Sequence, residues 1–233
     1  MKTTIAVLAL AAVGASGVAH ASFTTFEGGL AAQASWQTAV GGSFVFEGFE
    51  SYTVGTRVSS LPALGLTFDN LADGMPPGIY QHSTNDTPSG TKQLSNFAGF
   101  CCGSQFLFGN VVAHVDPSVN LTAFGFWNGD PQGAAQLSVY DRGDNLIGTV
   151  TAAVNSGASP NFSDSFAGFT SSVPVGRLVW NGNVGDGWNH YDDFQASLSL
   201  AVPEPETYAM LVAGFGLLGF AARRRALAYA SSE

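Results

Sequence analysis

Residues 135–150 read AQLSVYDRGDNLIGTV, two runs that alternate apolar with polar side chains around the cluster Asp141-Arg142-Gly143-Asp144-Asn145. Period-two alternation is the mark of a half-buried strand. Asp, Gly and Asn in close succession supply the side-chain caps and the left-handed backbone that a tight turn needs. The stretch therefore predicts a β-hairpin with Leu137 and Val139 on one face. Its Arg142-Gly143-Asp144 spells an adhesion tripeptide but is read as turn chemistry.

Working outward, the same texture recurs at 43–49, 65–70, 104–115, 121–128, 145–150, 176–182 and 191–200, each rich in β-formers and bounded by turn residues. No long amphipathic helix interrupts them. The expected fold is all-β: a single antiparallel β-sandwich of jelly-roll type over residues 22–201.

The two ends of the chain are of different character. Lys2, an apolar core from Ile5 to Val13 and the small-x-small triplet Ala19-His20-Ala21 have the form of a secretory signal peptide over 1–21, cut by signal peptidase to leave Ser22 first. Near the other end, Val202-Pro203-Glu204-Pro205 precedes an uncharged, mostly apolar run, Thr207 to Ala222, and then Arg223, Arg224 and Arg225. Sixteen helical residues rise roughly 24 Å against a hydrocarbon core of ~30 Å, a marginal span. The arginines favour the cytoplasmic side, which leaves 226–233 as a cytoplasmic tail and the long domain outside. Gly214 to Gly219, GFGLLG, has the spacing of a dinucleotide fingerprint but no strand before it and no helix N-terminus after it.

The order of these C-terminal parts resembles the PEP-CTERM sorting signal of Gram-negative bacteria that make extracellular polysaccharide. That resemblance implies recognition by exosortase, a membrane-embedded cysteine transpeptidase, removal near the Pro-Glu-Pro motif, transient anchoring in the inner membrane with the domain in the periplasm, and delivery to the cell surface or the biofilm matrix. Pro203 and Pro205 hold the backbone extended and stop a helix growing back from the span, so the motif is presented as an open peptide.

More loosely, 44–68, FGFWN (124–128), 137–150 and 177–198 resemble the jelly-roll ectodomains of PEP-CTERM proteins and carbohydrate-binding modules. In such modules an early acidic residue and a late Asp clamp a structural calcium, tying the first strand to the last. Here Glu47, with Glu50, near the first strand and Asp192 and Asp193, with Asp186, near the last offer hard oxygen ligands for calcium. The alternative is that Asp192 and Asp193 open an edge strand and deter edge pairing.

The domain carries four Lys and Arg against fourteen Asp and Glu, a net charge of −10. Such a surface repels nucleic acid and anionic lipid, so no nucleic-acid partner is expected. Cys101 and Cys102 are the only cysteines. Export favours oxidation, and Gly103 offers the turn that a strained vicinal disulfide between them needs; free or intermolecular thiols are the alternative. Of the tryptophans and tyrosines most should fill the core or its rim, while Trp188 and Tyr191, in a Gly-rich stretch, are the expected exposed pair for sugar contact. No Gly-x-Ser-x-Gly or His-Glu-x-x-His motif occurs. The expected function is a non-catalytic, exosortase-sorted surface or matrix protein that holds exopolysaccharide. The competing expectation is a secreted glycoside hydrolase or lyase using an unrecognised carboxylate pair.

Overall fold

The computed structural model describes residues 22–81, 88–96, 109–129, 133–154, 165–181, 190–200 and 212–218. The strands are β1 (Phe23–Gly28), β2 (Val45–Glu47), β3 (Ser60–Leu61), β4 (Leu66–Phe68), β5 (Gly78–Gln81), β6 (Lys92–Ser95), β7 (Val111–Val115), β8 (Val119–Asn128), β9 (Ala135–Asp141), β10 (Leu146–Ala152), β11 (Phe166–Asn181) and β12 (His190–Leu200), with one α-helix, α1 (Leu30–Ala39), between the first two. All named pairings are antiparallel. The predicted sandwich is present.

β11 joins its two layers. Its first half pairs with β1 and β8, Phe169 lying opposite Thr25 and Phe124. Its second half pairs with β9 and β7, Leu178 lying opposite Val139 and Ala113. Between them, at Ser172–Pro174, the strand turns over from one layer to the other. Ser171 Oγ marks the corner by donating to Val173 O and accepting from Val173 N. Beyond it a bulge lies between Val175 and Arg177. Gly176 is required there, because a Cβ would meet the Asp141 carbonyl oxygen at 2.6 Å.

One layer thus runs β1, β11, β8, β12 and then β6 and β5, with β2 also on β12; the other runs β10, β9, β11, β7, β4, β3. β12 is an interior strand rather than an edge. Between the layers Phe124, Phe126, Trp180, Tyr191 and Phe194 are fully buried, and their rings meet edge to face or stacked. Each such side chain contributes roughly 1.5–3 kcal/mol of burial. A second cluster lies outside the first layer, where α1 sets Trp36 on Ala123, Trp127 and Phe166, its indole N–H donating to Phe169 O at 2.9 Å.

The topology gives the domain two poles. β1 starts beside Ser172 and β12 ends opposite Val119, so the chain enters and leaves at one pole. The β7–β8 turn at Asp116–Val119 and the Asp141–Asn145 turn lie there too, Arg142 donating to Val119 O at 2.7 Å and Asn120 Oδ1 at 2.9 Å. The Arg-Gly-Asp triplet is a hairpin turn as expected: Asp141 Oδ1 accepts from Gly143 N and Asn145 N, and Asp144 adopts φ 64°. The connections β6–β7, β8–β9, β10–β11 and β11–β12 are rooted at the opposite pole. Asn128 holds two of them together, its amide donating to Gly133 O at 2.8 Å and Ala153 O at 3.0 Å.

Candidate functional site

β2 and β12 meet with Glu47 opposite Phe194 and Val45 opposite Ala196, which brings the early acidic residues to the late ones. On the β8 side a bulge falls between Asp192 and Gln195, and Asp193 within it takes φ 50°. Phe49, just beyond β2, has φ 58° and is fully buried; its ring meets Phe194 at 5.2 Å. Two non-glycine residues in the left-handed region, each costing of order 1 kcal/mol, thus lie at this seam, one on each strand's side.

Each acidic group here has partners of its own. Glu47 Oε1 accepts from Phe49 N at 2.8 Å. Glu50 Oε1 accepts from Thr91 N and Lys92 N, both at 2.8 Å, while Lys92 Nζ donates to Glu50 O. Gly90 permits this approach, since a Cβ on it would fall 2.4 Å from Glu50 Oε1. Asp192 Oδ1 accepts from Asp193 N at 2.7 Å, and its Oδ2 from Ser89 Oγ at 3.3 Å. Asp193 differs: it is 1% exposed and its Oδ1 has no hydrogen-bond partner among the described residues. Burial pushes its carboxyl up to about 6, with the Glu50 charge adding and hydrogen bonds from Ser89 opposing.

The donor set suits a hard cation, since it is all oxygen and includes one buried carboxylate oxygen without a partner. Glu47, Asp192 and Asp193, the residues expected to hold calcium, all lie at this seam, and Glu47 and Asp192 are already engaged in hydrogen bonds. Among the described residues no three acidic, His or Cys side chains are gathered to hold a metal ion. The reason is visible in the bonds: Glu47 and Asp192 spend their oxygens on Phe49, Ser89 and Asp193. Asp193 Oδ1 is the donor left over.

A second candidate surface is the outer face of the β10–β9–β11–β7–β4 layer, on which no described element packs. Cross-strand registers place His114, Arg177 and Tyr140 in one row, Val112, Val179, Ser138 and Thr149 in the next, and Asn181, Gln136 and Thr151 in a third. The Arg177 guanidinium carbon sits 3.9 Å from the Tyr140 ring centroid and its Nε donates to Asp144 Oδ1 at 2.7 Å. His114 Nε2 lies 3.1 Å from Asp69 Oδ2. The face offers many hydrogen-bonding groups with its charges already matched.

The aromatic expectation is half corrected. Tyr191 is not exposed but fully buried, its ring between Phe126 and Trp180 at 5.9 and 5.7 Å, because β12 begins one residue earlier, at His190, and turns this tyrosine into the core. Trp188 and Asp186 lie outside the described residues, as do Cys101 and Cys102 and the segments 1–21 and 202–211. Residues 212–218 of the C-terminal apolar run are helical and exposed; no helix among the described residues is long and apolar enough to cross a membrane. Sequence reasoning missed Ser89 and Lys92, which reach the seam from the β5–β6 side. Gly90 between them was the single local signal.

Residues 201–225 match the PEP-CTERM protein-sorting motif. The chain is also similar to a solved family 6 carbohydrate-binding module, whose binding sub-sites were dissected by crystallography and calorimetry. The two share 14% identity and a TM-score of 0.29 over 67% of this chain and 95% of that one. Comparison with curated proteins gives no match.

Proposed function

We propose that this is an exported, non-catalytic protein, sorted through its 201–225 motif to the cell surface or extracellular matrix, where it holds polysaccharide. The sorting motif, present with the sequence features of a signal peptide at the other end, carries the destination. The apolar run from Thr207 to Ala222 anchors the chain in the inner membrane with the sandwich in the periplasm until exosortase acts. The uncovered face around Tyr140 and Arg177 supports the binding role. Its planar and hydroxyl side chains suit a neutral, hydroxyl-rich chain, and the net charge of −10 opposes an anionic one. Calcium at the β2–β12 seam is a further part of this proposal, favoured by the partnerless Asp193 Oδ1.

The test is a glycan array followed by a reducing-end assay on the bound sugars, with the exported protein and its Tyr140→Ala, Arg177→Ala and Trp188→Ala variants. Binding without sugar release, weakened by the first two substitutions, supports the proposal. Sugar release that disappears when one Asp or Glu is neutralised replaces it with a hydrolase or lyase. Retention of Arg223 to Arg225 on the protein outside the cell removes the sorting part.

A further inference from the structure

The sorting motif follows the last strand without a spacer. Leu200 pairs with Val119 in the sheet, and the matched motif begins at the next residue, Ala201. From Leu200 to Pro203 an extended chain reaches only about 10 Å, no more than the ~10 Å that separates two packed sheets. While Leu200 stays paired, the body of the sandwich lies against any enzyme that grips the Val202–Pro205 backbone. One recurring way to recognise an extended peptide is to add it as a strand through main-chain hydrogen bonds, and here the residues just upstream of the motif already spend theirs in β12.

The end of β12 is built to yield. β6 covers only His190 and Tyr191, and β2 only Phe194 to Ala196. Beyond them, among the described residues, β12 pairs with β8 alone. A register shift between Ser197 and Leu198 separates the last three pairs, Leu198 with Leu121, Ser199 with Asn120 and Leu200 with Val119, from the rest of the strand. Burial falls away in the same place: Leu198 still touches the core, Ser199 is exposed and Leu200 is 79% exposed. β8 does not share this looseness, since Arg142 grips Val119 O and Asn120 Oδ1 from the neighbouring turn.

We infer that Leu198–Leu200 must leave β8 before the chain is processed, so that exosortase engages these three residues together with the motif, and the fold sets the rate of its own release. The inference rests on the sorting proposal above. Segments at the low end of local stability open on their own while the rest of a domain stays folded, and the register shift marks where this opening stops.

The test is a pulse-chase of processing in an exosortase-bearing host, in a Cys101→Ser, Cys102→Ser background. Asn120→Cys with Ser199→Cys places a disulfide across the last pairs. The stapled chain is expected to be processed roughly tenfold more slowly or worse, with reductant restoring the rate. Six Gly and Ser residues inserted between Leu200 and Ala201 should release the staple's effect and, without the staple, raise the rate severalfold. The insertion alone serves where the disulfide fails to form. Processing of a verified stapled chain at the unstapled rate, or an insertion that changes nothing, overturns the inference. If the parent chain is never cut, the sorting proposal falls first, and this one with it.

Discussion

The Trp180 indole lies parallel to the Phe194 ring, the planes within 5° and the centroids 5.4 Å apart. Trp180 comes from the second half of β11 and Phe194 from β12, so this one stack ties the two layers across the core. Phe194→Ala should cost about 3–5 kcal/mol, read as a fall in the urea midpoint with little change in slope. Trp180→Phe should cost clearly less, because the buried Trp180 Nε1 has no hydrogen-bond partner among the described residues and the substitution removes a donor that folding had stripped of water. Equal losses for the two would place the energy elsewhere.

Asp193 makes stability fall with pH. Its carboxyl, held up at about 6 chiefly by burial, binds more protons folded than unfolded between about 4 and 6. Ionisation therefore weighs against the fold: the stability is whole below about pH 4 and is lost as pH rises through about 6. Chelator-treated protein should lose on the order of 2 kcal/mol between these limits. Asp193→Asn should flatten the profile, since Asn tolerates a left-handed backbone and carries no charge. A variant whose profile matches the parent's would refute this account.

Calcium should reverse that penalty. A cation that binds only the folded state raises stability by about 2.7 kcal/mol at a hundred times its dissociation constant, so the melting temperature should climb with calcium above pH 6. Asp193→Asn should abolish the climb. Identical melting in chelator and in millimolar calcium removes the ion from the seam.

Asn128 is a brace at the far pole. Asn128→Ala leaves the Gly133 and Ala153 carbonyls without their donor, and a cost of about 1–3 kcal/mol is expected. Amide exchange should speed up first in the residues flanking these two carbonyls. Uniform acceleration across all strands would mean that Asn128 supports the fold as a whole.

The hairpin at 135–152 was legible because one face is buried and one wet, which writes an alternation into the sequence, and because Asp141 caps its own turn. The first half of β11 was not. Phe166, Ala167, Gly168 and Phe169 are all buried, one side under Trp36 and the other in the core, so no alternation survives and FAGFTSS does not announce a strand. α1 was missed for a related reason: LAAQASWQTA has no continuous apolar stripe and docks through Trp36, its one buried side chain. At the seam the sequence showed the acids of both strands but not their bonds. Ser89 and Gly90 lie over a hundred positions from Asp192, and nothing local relates them to it.

Ser22 and Leu200 leave the sandwich at the same pole with β11 and β8 between their strands, about 14 Å apart at ~4.8 Å per strand. A linker of some five residues closes that gap, and new ends can then be opened in any connection at the far pole with every ladder intact. The domain therefore has the makings of a cassette: it can be circularly permuted, or threaded into a surface loop of another protein, and continue to display the same uncovered face.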